Sequence, residues 1–268
     1  MPNTTSTDLV CFSHLRWNFV YQRPQHLLSR FAKSFRVFFI EEAVFDSVGE
    51  NRLDLSTPLE NLWVVVPHLV SGKSEDESIA VQKELLNKLF IDHQIANYFF
   101  WYYTPMSTVI SDQFNPAAIV YDCMDELSAF KFAPQALKDR ENELFTKADL
   151  VFTGGYSLYE AKKHKHPDVH AFPSSIDFEH FQKARKYTVD PSDQASIPHP
   201  RIGFFGVLDE RMEFGLVEAV ARRKPEWNFI LIGPVAKIDP HHLPKLPNIH
   251  YLGMKSYNEL PDYISGWD

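Results

Sequence analysis

The chain has 268 residues, of which 44% are hydrophobic and 14% aromatic, and its formal net charge is −8 at pH 7. This composition supplies enough apolar side chains for one large core or two ordinary ones, and it excludes a largely disordered chain. The negative net charge and the absence of a long basic run argue against a protein that binds nucleic acid through its phosphates.

The first 185 residues alternate short apolar runs with amphipathic segments. Most of the apolar runs are continuous, which is typical of strands buried on both faces of a parallel sheet. The alternation predicts an α/β fold with a mostly parallel, doubly wound sheet. Strands are predicted at 9–14, 36–42, 61–68, 98–103, 118–124, 149–155 and 169–175, and helices at 22–33, 78–94 and 134–148.

A second β-α-β pattern begins at Arg201 and runs as strand, tight turn, helix, strand, loop, strand and helix to Asp268. The preceding segment YTVDPSDQASIPHP contains proline, serine and aspartate without an apolar period, so it is the best linker candidate. We therefore expect a Rossmann-like domain over 1–186, a linker over 187–200 and a partial second Rossmann-like domain over 201–268, with a cleft between the two.

The loop after the first strand is rich in polar side chains. Ligands of open α/β sheets bind at the carboxyl ends of the strands, and a helix start with arginines suits an anion or a polyhydroxylated molecule. Alternatively, this is a polar loop with Trp17 packed beneath it. The residues concerned are His14, Arg16, Trp17, Asn18, Gln22, Arg23 and Gln25.

Two further loops of the first half contain candidate site residues. Asp122 and Asp125 follow a strand and could orient a hydroxyl group or act as a base, but they could equally cap the next helix. Gly154 and Gly155 precede a helix and predict a turn with a close backbone approach. Their spacing falls short of a dinucleotide-binding fingerprint.

Three successive strands of the second half end in a glycine that is followed two to five residues later by a cation. Glycine lets a phosphate approach the backbone and the cation neutralises it, although lysines beside turns are common on any surface. We predict a phosphate site here. The glycine–cation pairs are Gly206 with Arg211, Gly233 with Lys237, and Gly253 with Lys255.

The twelve histidines show no metal-ligand spacing, and neither H-E-x-x-H nor C-x-x-C occurs, so no structural metal is predicted. Cys11 and Cys123 lie in apolar runs and are predicted to be buried, reduced thiols. The polar N-terminus and the lack of a long apolar window predict a cytoplasmic protein, with contact to the inner face of the membrane left open.

Stretches spread over nearly the whole chain resemble one known group of enzymes. They are WNFVYQRPQHLLSRFA, IVYDCMDELSAF, ADLVFTGGYSLYEAK, FPSSIDFEHF, and IGFFGVLDER through HYLG. The chain resembles the GT-B-fold glycosyltransferases of the retaining group 1 (family 4-like) branch, in particular the type that acts in bacterial teichuronic acid and exopolysaccharide biosynthesis.

The resemblance implies a hexosyltransferase that moves a sugar from a UDP- or GDP-linked donor to a glycan or lipid-linked acceptor, without an obligatory metal. It implies donor contacts at Gly206, Arg211 and Gly253, and a reacting sugar near Asp122 or Asp125. Acceptor-side or cleft positions would then include His14, Arg16, Trp17, Gln22, Arg23, Gly154 and Gly155.

The sequence departs from this family in two loops and at its end. HLRWNF replaces the family's Gly-Gly loop, and Val207 stands where the family has an arginine after the turn glycine. The family's acidic donor-sugar motif would lie beyond Asp268, so we expect an incomplete donor domain. A non-catalytic binding module and a GT-B-type nucleotide-sugar epimerase stay open as alternatives.

Overall fold

The computed structural model describes residues 7–129, 134–186 and 189–268. The chain divides into two compact units, Met1–Ser174 and Ser175–Asp268, which we call the first and the second unit. The described part of the expected linker, residues 189–200, belongs to the second unit.

The first unit is built on one large sheet, in which eight strands lie in the order β3-β5-β2-β1-β6-β7-β8-β9. Every pairing is parallel except that of β4, which adds to β5 in the antiparallel direction. The strands are β1 (Asp8–Ser13), β2 (Arg36–Glu41), β3 (Val44–Ser47), β4 (Arg52–Leu59), β5 (Leu62–Val70), β6 (Tyr98–Tyr102), β7 (Ile119–Cys123), β8 (Leu150–Thr153) and β9 (Val169–Ala171).

Alternate residues of the central strands enter two separate cores, one on each face of the sheet. In β1, Val10 and Phe12 belong to one cluster, whereas Leu9 and Cys11 belong to the other. Such two-sided burial is the reason why the sequence shows continuous apolar runs, because both faces of each strand need apolar side chains. The α/β prediction for this half is therefore confirmed.

Helices cover both faces of this sheet. The second and fourth helices pack on one face through residues such as Leu86 and Leu144, and the first packs on the other through Leu28. The three helices predicted from the sequence are confirmed to within three residues at each end. The helices of the first unit are α1 (Arg23–Phe31), α2 (Glu75–Asp92), α3 (Thr108–Ser111), α4 (Gln135–Lys147) and α5 (Tyr156–Lys162).

Both cysteines are buried and free, as predicted. Burial raises the pKa of the Cys11 thiol, and it raises that of Cys123 to about 12. Both groups are therefore neutral thiols near pH 7 and unsuited to nucleophilic chemistry.

The second unit has a three-stranded parallel sheet with β10 (Arg201–Phe205), β11 (Asn228–Ile232) and β12 (Ile249–Gly253) in that order. The predicted sequence of elements is confirmed, with α7 (Phe214–Arg223) and α8 (Leu260–Ile264) following α6 (Phe178–Phe181). One face of the sheet packs against α7 through Ala221, and the other packs against α8 through Tyr263.

The segment before β10 is a packed part of the second unit. Ile197 is buried in the same cluster as Tyr263, and the fully buried Gln194 donates to the Tyr263 carbonyl at 3.0 Å. The buried Arg201 guanidinium pairs with Asp190 at 2.9 Å. Polar residues in this stretch therefore make tertiary contacts, which composition alone could not distinguish from a solvated linker.

Candidate functional site

The carboxyl edge of the first sheet contains a buried ion pair at its centre. Arg23, at the start of α1, donates from Nε and Nη2 to both oxygens of Asp122 at the end of β7, over 2.9–3.1 Å. The side chains of Arg23 and Asp122 are only 5% and 0% exposed. Arg23 also donates from Nη1 to the Phe172 carbonyl oxygen at 2.7 Å. One arginine therefore ties together the loop after β1, the end of β7 and the segment after β9.

The Asp122 carboxyl is held between two opposing effects. Burial raises its pKa, the hydrogen bonds and charge of Arg23 lower it, and the net direction is upward. Tyr103 and Trp101 also place polar atoms near this carboxylate and act to lower its pKa, although neither polar atom has a partner at hydrogen-bond distance. Asp122 does not reach solvent, whereas a catalytic carboxylate has to meet its substrate.

The loop after β1 is fixed by a carboxylate that the sequence analysis did not single out. Glu41, at the end of β2, accepts from Arg16 at 2.9 Å and from the backbone N–H of Trp17 at 2.7 Å. Trp17 is buried against Phe39, which is the packed arrangement that the sequence left open. The sequence could have indicated Glu41 as a candidate, since RVFFIEE places it at the carboxyl end of a predicted strand.

The remaining candidates of the first unit lie at the same sheet edge. Gly154 follows β8, and a Cβ there would lie 2.5 Å from the Met124 carbonyl oxygen, so the predicted close approach is confirmed. A Cβ added at Gly155 would meet no atom within 4 Å, so the close approach is confined to Gly154. His14 and Asp125 are half-buried, after β1 and β7 respectively. Gln22 immediately precedes α1, and its backbone N–H donates to Gln25 at 3.1 Å.

Three glycines of the second unit, Gly206, Gly233 and Gly253, are brought together at the carboxyl edge of its sheet. The Gly206 N–H donates to the Ile232 carbonyl oxygen, and the Gly233 N–H donates to the Gly253 carbonyl oxygen, both at 2.9 Å. A Cβ at Gly233 would overlap the Gly206 carbonyl group, and the φ of Gly233 is +143°. Only glycine fits this contact, so two neighbouring turns pack backbone to backbone.

All three predicted cations lie in the loops that follow these glycines. Arg211 donates to the buried carboxylate of Asp209, at 2.7 Å from Nη2. Lys237 is exposed, has a φ of +60°, and contributes to lowering the pKa of Asp209. Lys255 differs, because its Nζ binds Asp193 at 2.6 Å. The third glycine–cation pair is therefore engaged in a structural contact.

Two further observations on the described residues concern metal ions and membrane-spanning helices. Within residues 7–129, 134–186 and 189–268, no group of three or more His, Cys, Asp or Glu side chains is arranged to hold a metal ion. In the same ranges, every helix is too short or too polar to cross a bilayer.

Sequence comparison gives one relative, at low identity. No family model matches the chain. The chain is 24% identical over 180 residues to "Putative teichuronic acid biosynthesis glycosyltransferase TuaH" of Bacillus subtilis (strain 168). The match covers 61% of this chain and 45% of that protein, so it spans less than half the length of the relative.

Comparison with solved structures gives matches over almost the whole chain. Sucrose-phosphate synthase of Thermosynechococcus elongatus has a TM-score of 0.66 at 11% identity, over 97% of this chain and 74% of that one. Anabaena HepE, solved with UDP and glucose, has a TM-score of 0.64 at 15% identity, over 98% and 73%. An E. coli trehalose-6-phosphate structure with UDP-2-fluoro glucose has a TM-score of 0.61 at 11% identity, over 96% and 76%. The chain therefore has the fold of the GT-B glycosyltransferases, as its sequence resemblance implied.

Proposed function

We propose that this chain belongs to a glycosyltransferase that moves a sugar from a nucleotide-sugar donor to a glycan or lipid-linked acceptor in bacterial surface polysaccharide synthesis. The observation that supports this most directly is the set of three adjoining glycines at the carboxyl edge of the second sheet, with Arg211 and Lys237 in the loops beside them. The solved neighbours that contain UDP or a UDP-sugar analogue add to the argument.

The residues at the carboxyl edge of the second sheet suit the charge stabilisation that such an enzyme needs. The leaving group is a nucleoside diphosphate that gains negative charge as the glycosidic bond breaks. Fixed cations and backbone N–H groups stabilise that charge without reorganising during the reaction. In the proposal Gly206 and Gly233 let the diphosphate approach the backbone, Arg211 and Lys237 neutralise it, and Gly253 lies at the nucleobase.

In the proposal the acceptor binds the first unit at the carboxyl ends of its strands. The half-buried Asp125 and His14 are the candidates for contact with the reacting sugar. The buried Arg23–Asp122 pair instead holds the surrounding loops. Retention of the anomeric configuration is the outcome that the family resemblance implies, and product stereochemistry determined by NMR tests it.

Calorimetric titration with UDP, GDP and ADP tests the donor site. We expect one nucleoside diphosphate to bind, and Lys237→Ala to weaken that binding because it removes a cation beside the glycine edge. Lys245→Ala is the matched control, since it removes the same charge from an exposed position in the same unit. Equal affinities of the two variants would contradict the assignment of Lys237.

Release of the free nucleoside diphosphate tests the reaction. With the matching nucleotide sugar, we expect release to depend on an added acceptor, for which a lipid-diphosphate-linked monosaccharide and a free disaccharide are suitable probes. Interconversion of two nucleotide sugars without an acceptor would show that the reaction is epimerisation and not transfer. Binding without any product would support the non-catalytic alternative.

A further inference from the structure

The turn after β10 contains a buried carboxylate that the proposed mechanism does not use. Asp209 is only 2% exposed. Its Oδ1 accepts from the backbone N–H and from Nε of Arg211, both at 3.0 Å, and its Oδ2 accepts from Nη2 at 2.7 Å. These hydrogen bonds are the main reason why the pKa of Asp209 lies below its ordinary value. Asp209 is therefore ionised near pH 7 and binds one edge of a single guanidinium group.

The turn that presents Asp209 is itself fixed to its neighbour. The Leu208 N–H donates to the Pro234 carbonyl oxygen at 2.9 Å, and the Ala236 N–H donates back to the Leu208 carbonyl oxygen at 3.0 Å. Leu208 is 1% exposed and belongs to the core of the second unit. The backbone next to Asp209 is therefore held by two hydrogen bonds, and Asp209 in turn restricts the side chain of Arg211.

The side chain of Arg211 is held by Asp209 and is still largely exposed. Its side chain is 60% exposed, although Nε and Nη2 are bound to Asp209. A free arginine on a surface turn samples many rotamers and loses them on binding an anion. An arginine already held by a buried carboxylate has less of this freedom to lose.

We propose that Asp209 is a positioning residue, which holds Arg211 in the orientation that binds the diphosphate of the nucleotide sugar. This inference rests on the proposed function. Ordering one arginine side chain on binding weakens an interaction about two- to tenfold, which is the effect expected when Asp209 is lost. The role is indirect, because Asp209 is an anion and would itself repel a diphosphate.

Because of that repulsion, a purely electrostatic role and a positioning role of Asp209 predict opposite changes in the affinity for an anion. If Asp209 acted only through its charge, then Asp209→Asn would remove a negative charge near the site and strengthen the binding of an anion. If Asp209 positions Arg211, the same substitution weakens binding. Glu210→Gln is the matched control, since it removes the same charge from the adjacent exposed residue.

The experiment is a calorimetric titration of the chain with inorganic pyrophosphate and with UDP and GDP. We expect Asp209→Asn to bind about two- to tenfold more weakly than the wild type, and Glu210→Gln to bind as tightly or more tightly. In an Arg211→Ala background, Asp209→Asn should cause no further weakening, because the group it positions is gone. Unchanged or tighter binding by Asp209→Asn, or equal weakening in both backgrounds, would overturn the inference.

The outcomes separate this inference from the proposed function. A wild-type chain that binds neither pyrophosphate nor any of UDP, GDP and ADP contradicts both. A wild type that binds UDP or GDP, with Asp209→Asn unaffected, contradicts only the role of Asp209. If Asp209→Asn fails to fold, solvent exchange of the Arg211 Nε–H in the wild type replaces it. We expect this exchange to be slower than that of the exposed Arg223, and equally fast exchange would overturn the inference.

Discussion

Replacing Asp122 by asparagine separates a structural role of this residue from a catalytic one. Asparagine keeps the shape of the side chain but leaves the Arg23 guanidinium buried without its carboxylate partner, although Arg23 still donates to the Phe172 carbonyl oxygen. Removing one partner of a buried pair costs about 3–5 kcal/mol, and the asparagine oxygen can still accept one hydrogen bond, so we expect about 3 kcal/mol. For a unit of this size that corresponds to a fall of about 6–12 °C in melting temperature.

The assay is urea unfolding followed by circular dichroism, with Asp139→Asn as the control. Asp139 is an exposed carboxylate on α4, and its substitution should change the free energy of unfolding by less than about 0.5 kcal/mol. Replacing both Arg23 and Asp122 by apolar residues should cost less than the sum of the single substitutions, because neither charge is then left unpaired. The reasoning is refuted if Asp122→Asn keeps its stability within about 1 kcal/mol but abolishes sugar transfer, since that is the behaviour of a catalytic carboxylate.

Two further predictions concern the second unit. Gly233→Ala should destabilise it by about 2 kcal/mol or more and abolish nucleotide binding, because the new Cβ meets the Gly206 carbonyl group. Thermal unfolding measures the loss of stability. Gly215→Ala is the control, since a Cβ there has open space in α7, and it should be neutral or stabilising in the same measurement. Burial acts to raise the pKa of Asp190, but the hydrogen bonds from Arg201 and Gln194 and the nearby charges together outweigh it, so the net pKa is lowered. The pair therefore stabilises the fold above the unfolded pKa of about 3.9, and this contribution is lost as pH falls through the lower folded value. Melts from neutral pH into acid should show a flatter dependence for Asp190→Asn, and identical slopes would contradict the assignment.

The sequence was sufficient to predict those strands and helices whose burial leaves a pattern in their own residues. Buried parallel strands need apolar residues on both faces, so β1, β2 and β11 are visible as continuous runs. Strand β4 was not predicted, because its residues are largely exposed and include Pro58, so its strand conformation depends on pairing with β5. The Asp209–Arg211 contact spans only two residues, but the burial of Asp209 is not visible in the sequence DER.

The sequence by itself therefore determined the α/β class, the order of most strands and helices, and the loops in which site residues would be sought. Only the tertiary structure decided which of those residues meet. Asp122 and Arg23 are 99 positions apart, and their pairing follows from strand order in the sheet rather than from any local pattern. The contact of Gly233 with Gly206 likewise exists only because β10 and β11 are neighbours. The burial of Asp122 beside Arg23 is a property of the assembled core and has no signature in the surrounding residues.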